Sequence, residues 1–231
     1  MSSPPSALTV RDLRRLWKPH KERLAALQDN HPTAIRFHRA CSWLGRIETE
    51  LDGAETDQVL INQWVAFNAL YGRWDVMSAA PHGDRLCWKS FMDRILILDA
   101  EQRLVDVLQT HKPLVISIFD DAFLSAHFWV EPSRERSGQA RLAKIQGQRS
   151  YVNGDWKQIV DQLLERIYLL RCQLIHGAAT CGGKLNRRPL KHCTTMLQHL
   201  LMAVLLVYIE HGADEDWGEL CYPPLRQLQP R

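Results

Sequence analysis

Arg171 and His176 lie near the end of the stretch Arg166 to Gly183, RIYLLRCQLIHGAATCGG, and are the pair best suited to chemistry at a phosphate. Histidine exchanges protons close to neutral pH, while arginine stays protonated and its planar fork grips two oxygens at once. Phosphodiester transfer without a metal needs one group to handle the proton of an attacking hydroxyl. It also needs positive charge on the oxygens of the crowded transition state. These two side chains supply both.

The element that must position them is a helix. From Asp155 to Ile175, apolar residues recur at 159, 160, 163, 164, 167, 170, 174 and 175, the spacing of an amphipathic helix. Arg171 falls inside that arc. It is then either a core arginine paired with a carboxylate from another helix or a guanidinium facing a seam between helices or subunits, free to hold a phosphate. His176 is displaced from Arg171 by roughly 140° around an ideal helix. The two converge only if the helix frays near Gly177 or if a second copy supplies one of them.

An arginine, four residues and a histidine near the end of a late helix, continued by Gly177, resemble the signature of the HEPN superfamily of all-helical ribonucleases. The earlier stretch Trp64 to Trp74, WVAFNALYGRW, is similar to a segment upstream of that motif in ApeA-like branches. The resemblance implies a metal-independent endoribonuclease that uses 2′-hydroxyl attack to leave 2′,3′-cyclic phosphate ends. Arg171 and His176 would be catalytic, in a composite cleft across a homodimer. A toxin or phage-defence role, with an antitoxin or other regulatory protein as a further partner, is implied too. The alternative is a HEPN-like dimer that binds RNA, a nucleotide or a protein without cutting. A third reading is a plain helical scaffold with Arg171 as a paired core charge. Cys172 stands where many members carry an asparagine or other small polar residue, and Ala178 where adenylylated members carry a tyrosine, so that control is not expected.

Two further groups belong to the expected site. Asn68 projects within the apolar arc of its own helix, so it is either a satisfied buried amide or the polar partner of Arg171, with Cys172 as a second supporting residue. Lys184, Arg187 and Arg188 follow the motif helix and are the expected phosphate contacts. Residues 131 to 154, with five Arg or Lys and three Gly, read as a solvated loop and short helix or as a basic flap.

Charge is mildly basic, +3 with pI near 8.6, which permits a polyanionic partner without requiring one. Six cysteines without a secretory signal suggest reduced thiols and a cytoplasmic protein. The longest apolar run, Leu200 to Ile209, is short of a bilayer span. No cofactor is expected. Neither is a metal: Cys172, His176, Cys181, His192 and Cys193 match no common zinc spacing, and GAATCGGK follows a helix and lacks the Ser or Thr of a phosphate-binding loop.

Helical spacing covers most of the remainder. Thr9 caps a basic helix that stops at Pro19, with a further piece to about Gln28. Pro32 opens a helix to Leu51 with Ile35, His38, Ala40, Cys41, Leu44 and Ile47 as its apolar face. Thr56 and Asp57 open another through Leu60, Trp64, Phe67 and Tyr71. Asp84 to about Gln109, Pro113 to Trp129 and about Pro189 to Glu210 follow, and strand-like alternation does not interrupt them. Met196 to Ile209 is apolar nearly all round, which places it at the centre of a bundle or on a dimer seam. The expectation is all-α: a mobile tail at residues 1–8, then one bundle of about six to eight helices over 9–231.

Overall fold

A computed structural model describes residues 8–49, 55–130, 134–178, 180, 183 and 186–223. Apart from Leu8, the expected tail lies outside them. The first helix, α1 (Val10–Leu27), opens with the expected capping box: Thr9 Oγ1 accepts from the Asp12 N–H at 3.2 Å, and Asp12 Oδ2 accepts from the Thr9 N–H at 3.1 Å. It does not stop at Pro19. The ring lies on the exposed side, where the lost backbone hydrogen bond is open to water, while Trp17 and Leu24 on either side of it are buried.

Helix α2 (Pro32–Thr49) begins on its proline and buries Thr33, Arg36, Phe37, Ala40, Cys41, Leu44 and Ile47. Of the expected face, Ile35 is only half-buried and His38 is exposed. Helix α3 (Thr56–Tyr71) buries Leu60, Trp64, Phe67 and Tyr71 as expected. A small antiparallel pairing, β1 (Trp74–Asp75) with β2 (Ala80–Pro81), leads into α4 (Asp84–Leu98).

The run expected from Asp84 to Gln109 divides because the Asp99 carboxylate accepts from the Arg103 and Leu104 N–H groups, both at 2.8 Å, and so starts α5 (Arg103–Thr110). The run from Pro113 divides likewise. After α6 (Lys112–Asp120), Asp121 accepts from the Phe123 N–H at 3.0 Å, a 3-10 turn follows, and α7 (Ala126–Val130) comes next. The stretch expected as loop and short helix is instead α8 (Arg134–Asn153), twenty residues long. Gly147 lets it close on α6, since a Cβ there would lie 2.3 Å from the Phe119 ring. Helices α9 (Trp156–Ile175) and α10 (Arg187–His211) complete ten α-helices among the described residues, more than the six to eight expected.

One core of buried residues runs from Val10 to Trp217, with α10 through its middle against α1, α3, α4, α5, α6 and α9. By length and hydropathy α10 could cross a membrane, but 67% of its apolar window is buried inside the bundle. Its all-apolar surface is therefore covered within one chain and does not call for a dimer seam. After α10, Trp217 stacks on Tyr208 at 5.2 Å and donates to the Gly212 carbonyl, folding the C-terminal segment back onto the body. Arg36, wholly buried, fastens that segment to the end of α3 by donating to the carbonyls of Leu70, Gly72, Trp217, Gly218 and Glu219.

Candidate functional site

Helix α9 is placed by its buried stripe of Ile159, Val160, Leu163, Leu164, Ile167 and Leu170, with Asp155 capping its start through the Gln158 N–H. The stripe ends one turn earlier than expected: Leu174 is half-buried and Ile175 is 52% exposed. Arg171 therefore leaves the core instead of being enclosed by it. Its side chain keeps 24% of its surface exposed and reaches Asp84, with Nη2 at 3.9 Å from Oδ2. Its Cζ lies 5.9 Å from the centre of the Tyr168 ring, and Arg85, paired to Glu165 at 2.6 Å, lies 4.9 Å from the same ring.

Asp84 organises this corner. It sits in the first turn of α4, where the helix dipole favours a carboxylate. Its Oδ1 accepts from Asn68 Nδ2 at 3.1 Å and from the Tyr71 hydroxyl at 3.2 Å. Burial, and after it the Asp84 charge, pushes the Tyr71 phenol well above its ordinary value, so Tyr71 stays a neutral donor. Asn68 is thus a satisfied amide and meets Arg171 through Asp84. Cys172, half-buried, places its Sγ 3.9 Å from Arg171 Nη1.

Arg171 and Asn68 line one cavity of about 520 Å³ together with Arg36, Arg39, Trp43, Trp64, Ile175 and Tyr222. Among the described residues its lining includes three arginines and no carboxylate. Arg39 donates to the carbonyls of Cys221 at 2.8 Å and Tyr222 at 2.6 Å, as Arg36 does to its own set, so neither charge is neutralised by those contacts. Two buried donors of lining residues, Arg36 Nε and Trp64 Nε1, have no acceptor among the described residues. Those two N–H groups are sealed from the cavity, and it is the charges of Arg39 and Arg171 that suit an anionic, oxygen-rich ligand there.

His176 is not part of that lining. It caps α9 and is exposed, and Gly177 beyond it adopts φ of 70°. The Ala178 N–H donates to the Gln173 carbonyl at 2.8 Å and the Gly177 N–H to that of Leu174 at 3.2 Å, the paired bonds of a Schellman ending. The glycine after the histidine thus ends the helix sharply and directs His176 outward. Within one chain, Arg171 and His176 are not brought to one cavity.

Of the expected phosphate contacts, Lys184 lies outside the described residues. Arg187 is engaged by Asp57 at 2.8 Å and by the Gly183 carbonyl, roughly 16 Å along α3 from Asn68 by helical rise. Arg188 is exposed at the start of α10. Among the described residues, metal-type donors cluster at Glu101, Glu210 and His211, where Arg103 already holds both oxygens of Glu210. Asp84, Arg36 and Arg39 are absent from the sequence-based site. Asp84 follows a Pro-His-Gly turn at a helix start, and Arg36 shares a helical stripe with Thr33, Phe37 and Ala40, so both had a local signal.

No family model, curated protein or solved structure matches the chain.

Proposed function

We propose that the protein is a metal-independent endoribonuclease in which Arg171 holds the scissile phosphate and His176, contributed by a second copy of the chain, handles the 2′-hydroxyl proton. The observation that carries this reading is the lining of the Arg171 cavity, which among the described residues holds three arginines and no carboxylate. A phosphodiester seated there would meet a guanidinium that Asp84 aims from 3.9 Å without a short ion pair to consume it. In-line attack by the 2′-oxygen on phosphorus would expel the 5′-oxygen of the next nucleotide, leaving a 2′,3′-cyclic phosphate and a 5′-hydroxyl. The arginine would carry the charge of the phosphorane. His176 is exposed at a fixed helix end beside the half-exposed apolar Ile175, a pairing suited to contact with a partner copy.

The test is cleavage of end-labelled single-stranded RNA in EDTA, with the product ends identified. Wild type should cut and leave cyclic phosphates. Arg171→Ala, Arg171→Lys and His176→Ala should each lose at least ~100-fold while staying folded, the lysine failing because a point charge does not replace a fork. Binding of RNA without cutting would support instead a non-catalytic nucleotide-binding module. Cutting that depends on added metal would move the chemistry elsewhere.

A further inference from the structure

Along α1, Arg11, Arg14, Lys18 and Lys21 recur every three or four residues, on the face beside the buried Val10, Leu13 and Trp17. They form one wall of a groove of about 1350 Å³ whose other wall is the turn before α2 and the first half of α2, from Asp29 to Cys41. Six Lys or Arg residues line it against three carboxylates, an excess of three that equals the net charge of the whole chain. Two of those carboxylates are already engaged: Asp12 by its cap and by Arg15 at 3.3 Å, and Glu22 by Lys18 at 3.8 Å. Arg39 lines this groove and also the Arg171 cavity, so the two are neighbours.

We infer that the groove between α1 and α2 is the track along which a single strand of RNA reaches the Arg171 cavity, an inference that rests on the RNA reading given above. The row of exposed cations on α1 suits a chain carrying one phosphate per residue, and the apolar surface of Ala25 on one wall and of Ala34 and Ile35 on the other suits bases and riboses. Adjacency to the arginine-lined cavity proposed to hold the scissile phosphate favours RNA over an acidic protein segment.

The probe is a 2′-O-methylated single-stranded oligonucleotide, which no 2′-hydroxyl attack can cut, titrated by fluorescence anisotropy over a salt series. Lys18→Glu/Lys21→Glu should weaken binding by at least ~10-fold at low salt and flatten the plot of log affinity against log salt by ~0.7 for each phosphate no longer neutralised. Arg141→Glu/Arg149→Glu, an equal charge change on exposed positions of α8, should leave affinity and slope unchanged. Equal losses in both double variants would mean general attraction and overturn the track. So would unchanged binding by the α1 variant, equally tight duplex binding through the same residues, or displacement by an acidic peptide but not by RNA. Because the probe is uncleavable, the track stands or falls on binding alone: a wild type that binds through α1 yet never cuts RNA would defeat the ribonuclease reading and leave the track intact.

Discussion

Asp84 takes at the residue scale the part that sequence reasoning assigns to Asn68. One carboxylate receives Asn68 and Tyr71 on Oδ1 and faces Arg171 with Oδ2. Asp84→Asn keeps an acceptor for the first two but removes the charge that aims the guanidinium. RNA binding should therefore tighten while single-turnover cleavage slows by ~10-fold or more, a split that simple misfolding would not produce. The arginines teach the same lesson about legibility. Arg171 stands out in the sequence because it falls in an apolar arc, yet that arc ends a turn early and leaves the side chain partly exposed. The deeply buried arginines are Arg36 at 0% and Arg166 at 6% exposure, both held through their Nη groups by backbone carbonyls from distant segments. Arg36→Met should cost about 3 kcal/mol by stranding carbonyls at the end of α3 and in the C-terminal segment. Denaturant unfolding and a red shift of tryptophan emission from Trp217 would report it.

Helix starts at Thr9 and Pro32 are legible at the scale of elements because caps and first-turn prolines are local chemistry, while α3 starts at Thr56 with no side-chain cap and with Asp57 in its first turn. The divisions at Asp99 and Asp121 are not, since periodicity runs straight through them and the deciding bonds are from side chain to backbone. Pro19 misleads in the other direction, because tertiary burial of Trp17 and Leu24 outweighs one missing hydrogen bond. Packing of α10 on the start of α6 also stacks His111 on His199, ring centres 3.8 Å apart. Burial, then the neighbouring imidazole, holds His199 below its ordinary value. A depressed folded-state pKa means that the unfolded chain binds the proton more readily. Stability is then intact above the unfolded value of about 6.5 and declines as pH falls from there towards the folded value. Thermal melts from about pH 7.5 down to about pH 5.5 should show a steeper loss in wild type than in His199→Gln.

The whole molecule is the all-α bundle that the helical spacing calls for, with α9 and α10 inside it. The apolar girth of α10, which in sequence is equally consistent with a dimer seam, is taken up within one chain. The case for two copies therefore rests on the motif itself: Arg171 turns into a cavity, and His176 caps the helix end outside it. That separation is what a composite site across a two-fold axis would resolve. The most direct measurement is complementation. Arg171→Ala and His176→Ala, each inactive alone, are mixed, allowed to exchange subunits, and assayed for cleavage of single-stranded RNA in EDTA. Random exchange leaves half of the dimers mixed, each with one complete pair, so the mixture should regain about a quarter of wild-type activity. A mixture that exchanges subunits yet stays inactive beside an active wild type would contradict the composite site.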